Sequence, residues 1–166
     1  MKMRWNISTI AGALCLLLSV STFGQSQPPA VIDQLGPDTS LKYLTKVSKI
    51  PPSVVEVMKT VIHLDKLEMA DKGGEWNATD FIVNPELPGR RLIWAVETQK
   101  HFVVHYEQGG FTPKTHFPVV SPPHENGKRK LEWAAVSLNA AKADDLKKFL
   151  AMAKDKKLIG DKSLSN

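Results

Sequence analysis

The alternation of side chains between residues 91 and 120 constrains this chain more than any other feature. Three segments, Arg-Leu-Ile-Trp-Ala-Val-Glu at 91–97, His-Phe-Val-Val-His-Tyr-Glu at 101–107 and Thr-His-Phe-Pro-Val-Val at 115–120, alternate with a period of two. Successive strand side chains point to opposite faces, so the three read as an antiparallel meander with one well-packed face. Leu92, Trp94, Val96, Phe102, Val104, Tyr106, Phe117 and Val119 are assigned to that face. The other face is mixed: Arg91, Ile93, Ala95, Glu97, His101, Val103, His105 and Glu107. Gly109 and Gly110 supply the positive φ of a two-residue hairpin turn. With that turn, Gln108 faces Phe111, His116 faces Val103 and Phe117 faces Phe102. Pro118 has no N–H to donate, which places its strand at an edge or a bulge.

The flanking segments complete an α+β architecture. Residues 130–137 form a further strand with Leu131, Trp133 and Ala135 inward, and residues 66–70 alternate as a first strand does. Residues 76–83 are ambiguous, with a strand favoured near their end. Leu41, Leu44 and Val47 recur at every third residue, as in a short helix capped by Ser40. Ser53 and Glu56 match a capping box, followed by Val54, Val57, Met58 and Val61 on one helical face. That helix ends near His63, where an imidazole has a structural role. A last helix starts near Asn139, carries the stripe Leu146, Phe149, Leu150 and Ala153, pairs Asp144 with Lys148, and stops at Gly160. The expected fold is an antiparallel meander sheet of four to five strands, with an N-terminal helix and a C-terminal helix packed on its apolar face.

The start of the chain reads as an address. Two positive charges in residues 1–4 precede an apolar run at 10–20 and small residues up to Gly24, the layout of a secretory signal peptide over residues 1–24. The run is shorter than the roughly 20 residues of a spanning helix. Cys15, the one cysteine, is preceded by Leu14 and so lacks the context for lipidation. Residues 25–40 read as a disordered leader, residues 41–159 as a single globular domain and residues 160–166 as a frayed tail. The domain is expected to fold without residues 1–39. The reading implies an exported, periplasmic or extracellular protein, with no stable membrane insertion after cleavage.

Charge and motifs narrow the function. Removing the two basic residues of 1–24 lowers the formal net charge from +5 to +3, too little for a nucleic-acid-binding stripe. Loss of Cys15 with the signal would leave no disulfide and no thiol nucleophile. There is no Gly-x-Ser-x-Gly elbow, phosphate-binding glycine loop or His-Glu-x-x-His helix, and no cofactor is implied. Asn77-Ala-Thr79 is a glycosylation sequon. His101 and His105 lie about 13 Å apart on a strand, too far to share an ion, although His116 could join one of them. No metal site is assigned. Arg90 and Arg91, and the basic run at 128–130, offer contacts for anionic polymers. The favoured reading is a non-catalytic domain that binds a protein or an envelope component through one sheet face. Its candidate residues are His101, Val103, His105, His116, Arg90 and Arg91, with the three imidazoles exposed on one side, away from Trp94 and Trp133. The alternative is a weak metal-binding or hydrolytic protein using His101, His105 and His116.

Overall fold

The computed structural model describes residues 30–35, 41–82, 84–137, 143–155 and 159–160, the last two through their backbone. The expected signal peptide and the 161–166 part of the tail lie outside the described residues. Four long antiparallel strands, β2 (Arg90–Glu97), β3 (Phe102–Gln108), β4 (Lys114–Val120) and β5 (Leu131–Ser137), follow one another across a sheet. Two-residue strands flank them, β1 (Tyr43–Leu44) beside β2 and β6 (Ile159–Gly160) beside β5. Helices α1 (Val31–Gln34), α2 (Pro52–Ile62) and α3 (Leu146–Lys154) complete the α+β fold.

Both faces of this sheet are packed. On one, Trp94, Val96, Val103, Phe117, Val119 and Ala135 meet Leu146, Phe149, Met152 and Ala153 of α3. On the other, Leu92, Ala95, Phe102, Val104, Tyr106 and Val120 meet Val54, Val57, Met58, Val61 and Ile62 of α2. The strands expected from the alternation therefore form, but the single packed face does not. Two local events divide it. A bulge at Ile93 pairs Leu92 with Tyr106 but Trp94 with His105, turning Trp94 to the opposite face from Leu92. The β3–β4 connection is five residues long, since Gln108 pairs with Lys114. Phe102 consequently pairs with Val120, Val103 with Val119 and Tyr106 with His116. The two-residue turn expected at Gly109-Gly110 is replaced, and the odd change in register puts Phe117 on the face away from Phe102.

Other elements differ for equally local reasons. Pro118 sits in the interior strand β4, paired across with Ala134. The assigned β3–β4 pairs skip from Val103–Val119 to Tyr106–His116, so that ladder lapses beside the residue lacking an N–H. Ser53 makes no capping box: Pro51 is the N-cap without a side-chain bond, and Pro52 opens α2 at the first helical position. Glu56 pairs instead with Lys59 at 2.8 Å. His63 closes the helix in the left-handed conformation, φ 53°. Residues 41–47 hold β1 rather than a helix, followed by a 3-10 turn at Val47–Lys49. Residues 66–70 contribute one parallel bridge, Ala70 to Arg91, and the described part of 76–83 is loop. Asp145, whose carboxylate accepts from the Lys148 N–H, caps α3 at Leu146; Asn139, the expected start, lies outside the described residues. The Asp144–Lys148 pair forms as expected at 2.8 Å. Gly160 belongs to β6, not to a helix end.

The leader also needs correction. Val31, Ile32 and Leu35 are buried, Leu35 completely, in the same cluster as Trp94 and Phe149. Four residues make a poor helix in isolation, so α1 is stabilised by this docking rather than by propensity. Cutting at residue 40 removes core side chains.

Candidate functional site

The six residues singled out above do not form one exposed surface. Val103 has no exposure, and His101, His105 and His116 are exposed by only 3%, 1% and 7%. Strand parity puts His105 on the α3 face beside Trp94, whereas His116 pairs with Tyr106 on the α2 face. The open histidine face is withdrawn, because what looked like a solvated side of the sheet is a second core.

Each imidazole is held differently. His105 lies edge-on to the Trp94 indole at 5.1 Å and stacks on Phe117 at 4.3 Å between ring centroids. Burial lowers its pKa from 6.5 to about 3; the Ala143 carbonyl and Asp144 oppose this shift and Lys72 adds slightly to it. The ring nitrogens make no hydrogen bond of ordinary geometry, although the Ala143 carbonyl favours the protonated form. That carbonyl accepts from Trp94 Nε1 at 2.7 Å. His116 stacks on Tyr106 with centroids 4.8 Å apart. His101 Nε2 lies 2.8 Å from Glu132, and Thr98 Oγ1 accepts the His101 N–H while the His101 carbonyl accepts the Thr98 N–H. This clamps the β2–β3 turn to β5. A His–carboxylate pair can serve as a general base only if its other nitrogen reaches a substrate. Nδ1 of His101 is buried and without a partner. The pair is a structural clamp.

Of the two arginines, Arg91 is committed to partners. Arg91 bonds Glu107 at 2.6 Å and lies 4.9 Å from the Trp76 ring centre. Arg90 is half-buried at the start of β2. In the other basic cluster, Arg129 bonds Glu97 at 2.7 Å and the Ser121 carbonyl at 3.0 Å. Among the described residues, no group of three or more His, Cys, Asp or Glu side chains is placed to hold a metal ion. His116, expected to join His101 or His105 at an ion, faces the α2 side of the sheet whereas His105 faces the α3 side.

The most unusual surface lies at the other end of the sheet, where β2 begins and β3 ends. Phe81, Ile82 and Phe111 are 77%, 63% and 92% exposed, the largest values among the large apolar residues described. They project from two connections that are tied together. Gly110 donates its N–H to the Ala78 carbonyl at 3.3 Å, and Gly109 donates to Gly89 at 2.9 Å. A side chain at Gly109 would collide with the Asn77 carbonyl oxygen, so the glycine permits this contact. Asn77 ties the base of its own loop by donating both amide hydrogens, to the Asn84 and Leu87 carbonyls at 2.8 Å each. The sequon nitrogen is thus engaged inside the loop.

Comparison with family models, with curated proteins and with solved structures finds no match for this chain. The site must be judged on its own geometry. Surface grooves do exist: one of about 500 Å³ runs along Leu41, Leu44 and Phe102 past Lys42, Lys49 and Glu97. Another, of about 430 Å³, lies beside His63, with Glu56 and Lys59 along its wall. Those two charges pair with each other at 2.8 Å, and His63 and Asp65 complete the polar lining. The apolar loop end was not legible in advance: Phe81 and Ile82 sit in a stretch without periodicity, and Phe111 follows two glycines read as a tight turn. The signal in the sequence was two bulky apolar sites inside turn-rich segments, where polar residues ordinarily prevail.

Proposed function

We propose that this chain is a small exported, non-catalytic binding domain whose contact surface is the loop end carrying Phe81, Ile82 and Phe111. The observation that carries the reading is their exposure on connections fixed by hydrogen bonds. Exposed apolar surface beyond scattered single residues marks interaction sites, and the Gly110–Ala78 hydrogen bond brings the two connections together. Connections as long as that between α2 and β2, with little regular structure of their own, are usually functional. Export rests on the charged, then apolar, first 24 residues of the sequence. Among the described residues, no helix is long and apolar enough to cross a membrane. The histidines first considered are buried in the sheet and Arg91 is ion-paired with Glu107, so the binding role moves from the sheet face to its end.

The test is capture from an envelope fraction with the wild-type chain and with a Phe81→Ser, Ile82→Ser, Phe111→Ser variant. Capture by the wild type should be lost in the variant while its melting temperature is retained. Equal capture by both would refute the assignment of the surface.

A further inference from the structure

We infer that the loop end docks on a lipid bilayer, with Phe81, Ile82 and Phe111 entering the interfacial layer. The inference rests on the reading above and names the partner of that surface. Three observations favour a bilayer over a protein. The first is shape: the three side chains stand on two separate connections and protrude, with Phe111 almost wholly in solvent. Protruding apolar tips suit insertion into a deformable interface about 5–10 Å deep, with no matching concavity required.

The second is area. At these exposures the three side chains present roughly 400–500 Å² of apolar surface, given about 150–250 Å² for a large aromatic side chain. A stable protein pair buries about 800 Å² on each partner, so the patch is too small to hold a second copy of this chain by itself. Insertion into lipid has no such threshold, because bound area simply adds to partition.

The third is charge. The connection carrying Phe81 and Ile82 also bears the exposed Asp80 and Glu86, and Lys114 follows Phe111 by three residues, so cations are not in excess. A rim without an excess of cations recognises neither an acidic peptide nor a polyanion. It predicts binding to zwitterionic lipid that persists in salt, since little of the attraction is Coulombic. The hydrogen bonds at Asn77 and Gly110 hold the tips in place before contact, which reduces the ordering cost of docking.

The experiment uses the full chain with Phe111→Trp and, separately, Phe81→Trp, mixed with phosphatidylcholine vesicles with or without bromine on the acyl chains. Emission from the added indole should be quenched about twofold or more by the brominated vesicles, and equally so in about 1 M salt. Unquenched emission from both added indoles would overturn the bilayer assignment, even if the chain sediments through its apolar residues 10–20. If envelope capture still depended on the three residues in that case, the contact surface would stand and its partner would be a protein. Quenching that vanished in salt would also overturn the inference, because it would require an electrostatic site instead.

Discussion

The middle of the sheet and its loop end reverse the usual placement of side chains. In the middle, three imidazoles lie inside two cores, with His105 wedged between Trp94 and Phe117. At the loop end, two phenylalanines and an isoleucine stand in water. The difference teaches that titratable groups in this sheet are packing elements, and on the proposed reading the contact surface lies elsewhere. A neutral imidazole is a flat ring that packs against aromatics, and stacking on Phe117 and Tyr106 uses that property. An exposed phenylalanine on a tied connection contributes little to the core, which is why the proposed contact is placed there.

The contrast can be broken at either side. The largest effect should come from the middle. Trp94→Ala removes a fully buried indole that packs beside His105 and bonds the Ala143 carbonyl. Loss of packing, plus a cavity, should cost about 3–5 kcal/mol. Chemical denaturation would measure this, and a loss below about 1 kcal/mol would place Trp94 outside the core.

Acid should expose the second effect. The folded pKa of His105 is lowered, so the unfolded chain takes up the proton first as pH falls below 6.5. Stability from this group is therefore full above about pH 6.5 and declines toward pH 3. His105→Leu removes the proton site at similar volume. Between pH 7 and pH 4 the stability of the variant relative to wild type should improve by about 3 kcal/mol. A difference between the two chains that stays constant with pH would show that His105 is solvated.

The smallest effect belongs to the loop end. Phe111→Ser should change stability by less than about 0.5 kcal/mol, as surface substitutions generally do. A loss of 2 kcal/mol would mean that Phe111 packs on the domain, and its exposure could not be an interaction signal.

How far the sequence revealed this contrast depended on the kind of signal. The strands β2 to β5 were legible within a residue or so, because alternation and turn residues bounded them. Their register was not. A bulge at Ile93 and a five-residue connection after Gln108 each move side chains across the sheet without disturbing the alternation. The burial of both faces was hinted at by Phe-Val-Val at 102–104 and Ala-Ala-Val at 134–136, since strands covered on both sides read as apolar runs. The interspersed histidines instead suggested solvent. α1 was missed because four residues carry almost no helical period, and only its contacts with the α3 face reveal its role. The loop end has no period at all, so its meaning emerged only once Ala78 and Gly110 were seen to meet.

Hydroxyl-radical footprinting of the folded chain reads both halves of the contrast in one experiment. Phe81 and Phe111 should be oxidised rapidly, along with the exposed His63 and His124. His105, His116, Phe102, Phe117 and Trp94 should be protected until the chain unfolds. Rapid oxidation of His105 and His116, with Phe81 and Phe111 protected, would contradict the account and restore an open histidine face.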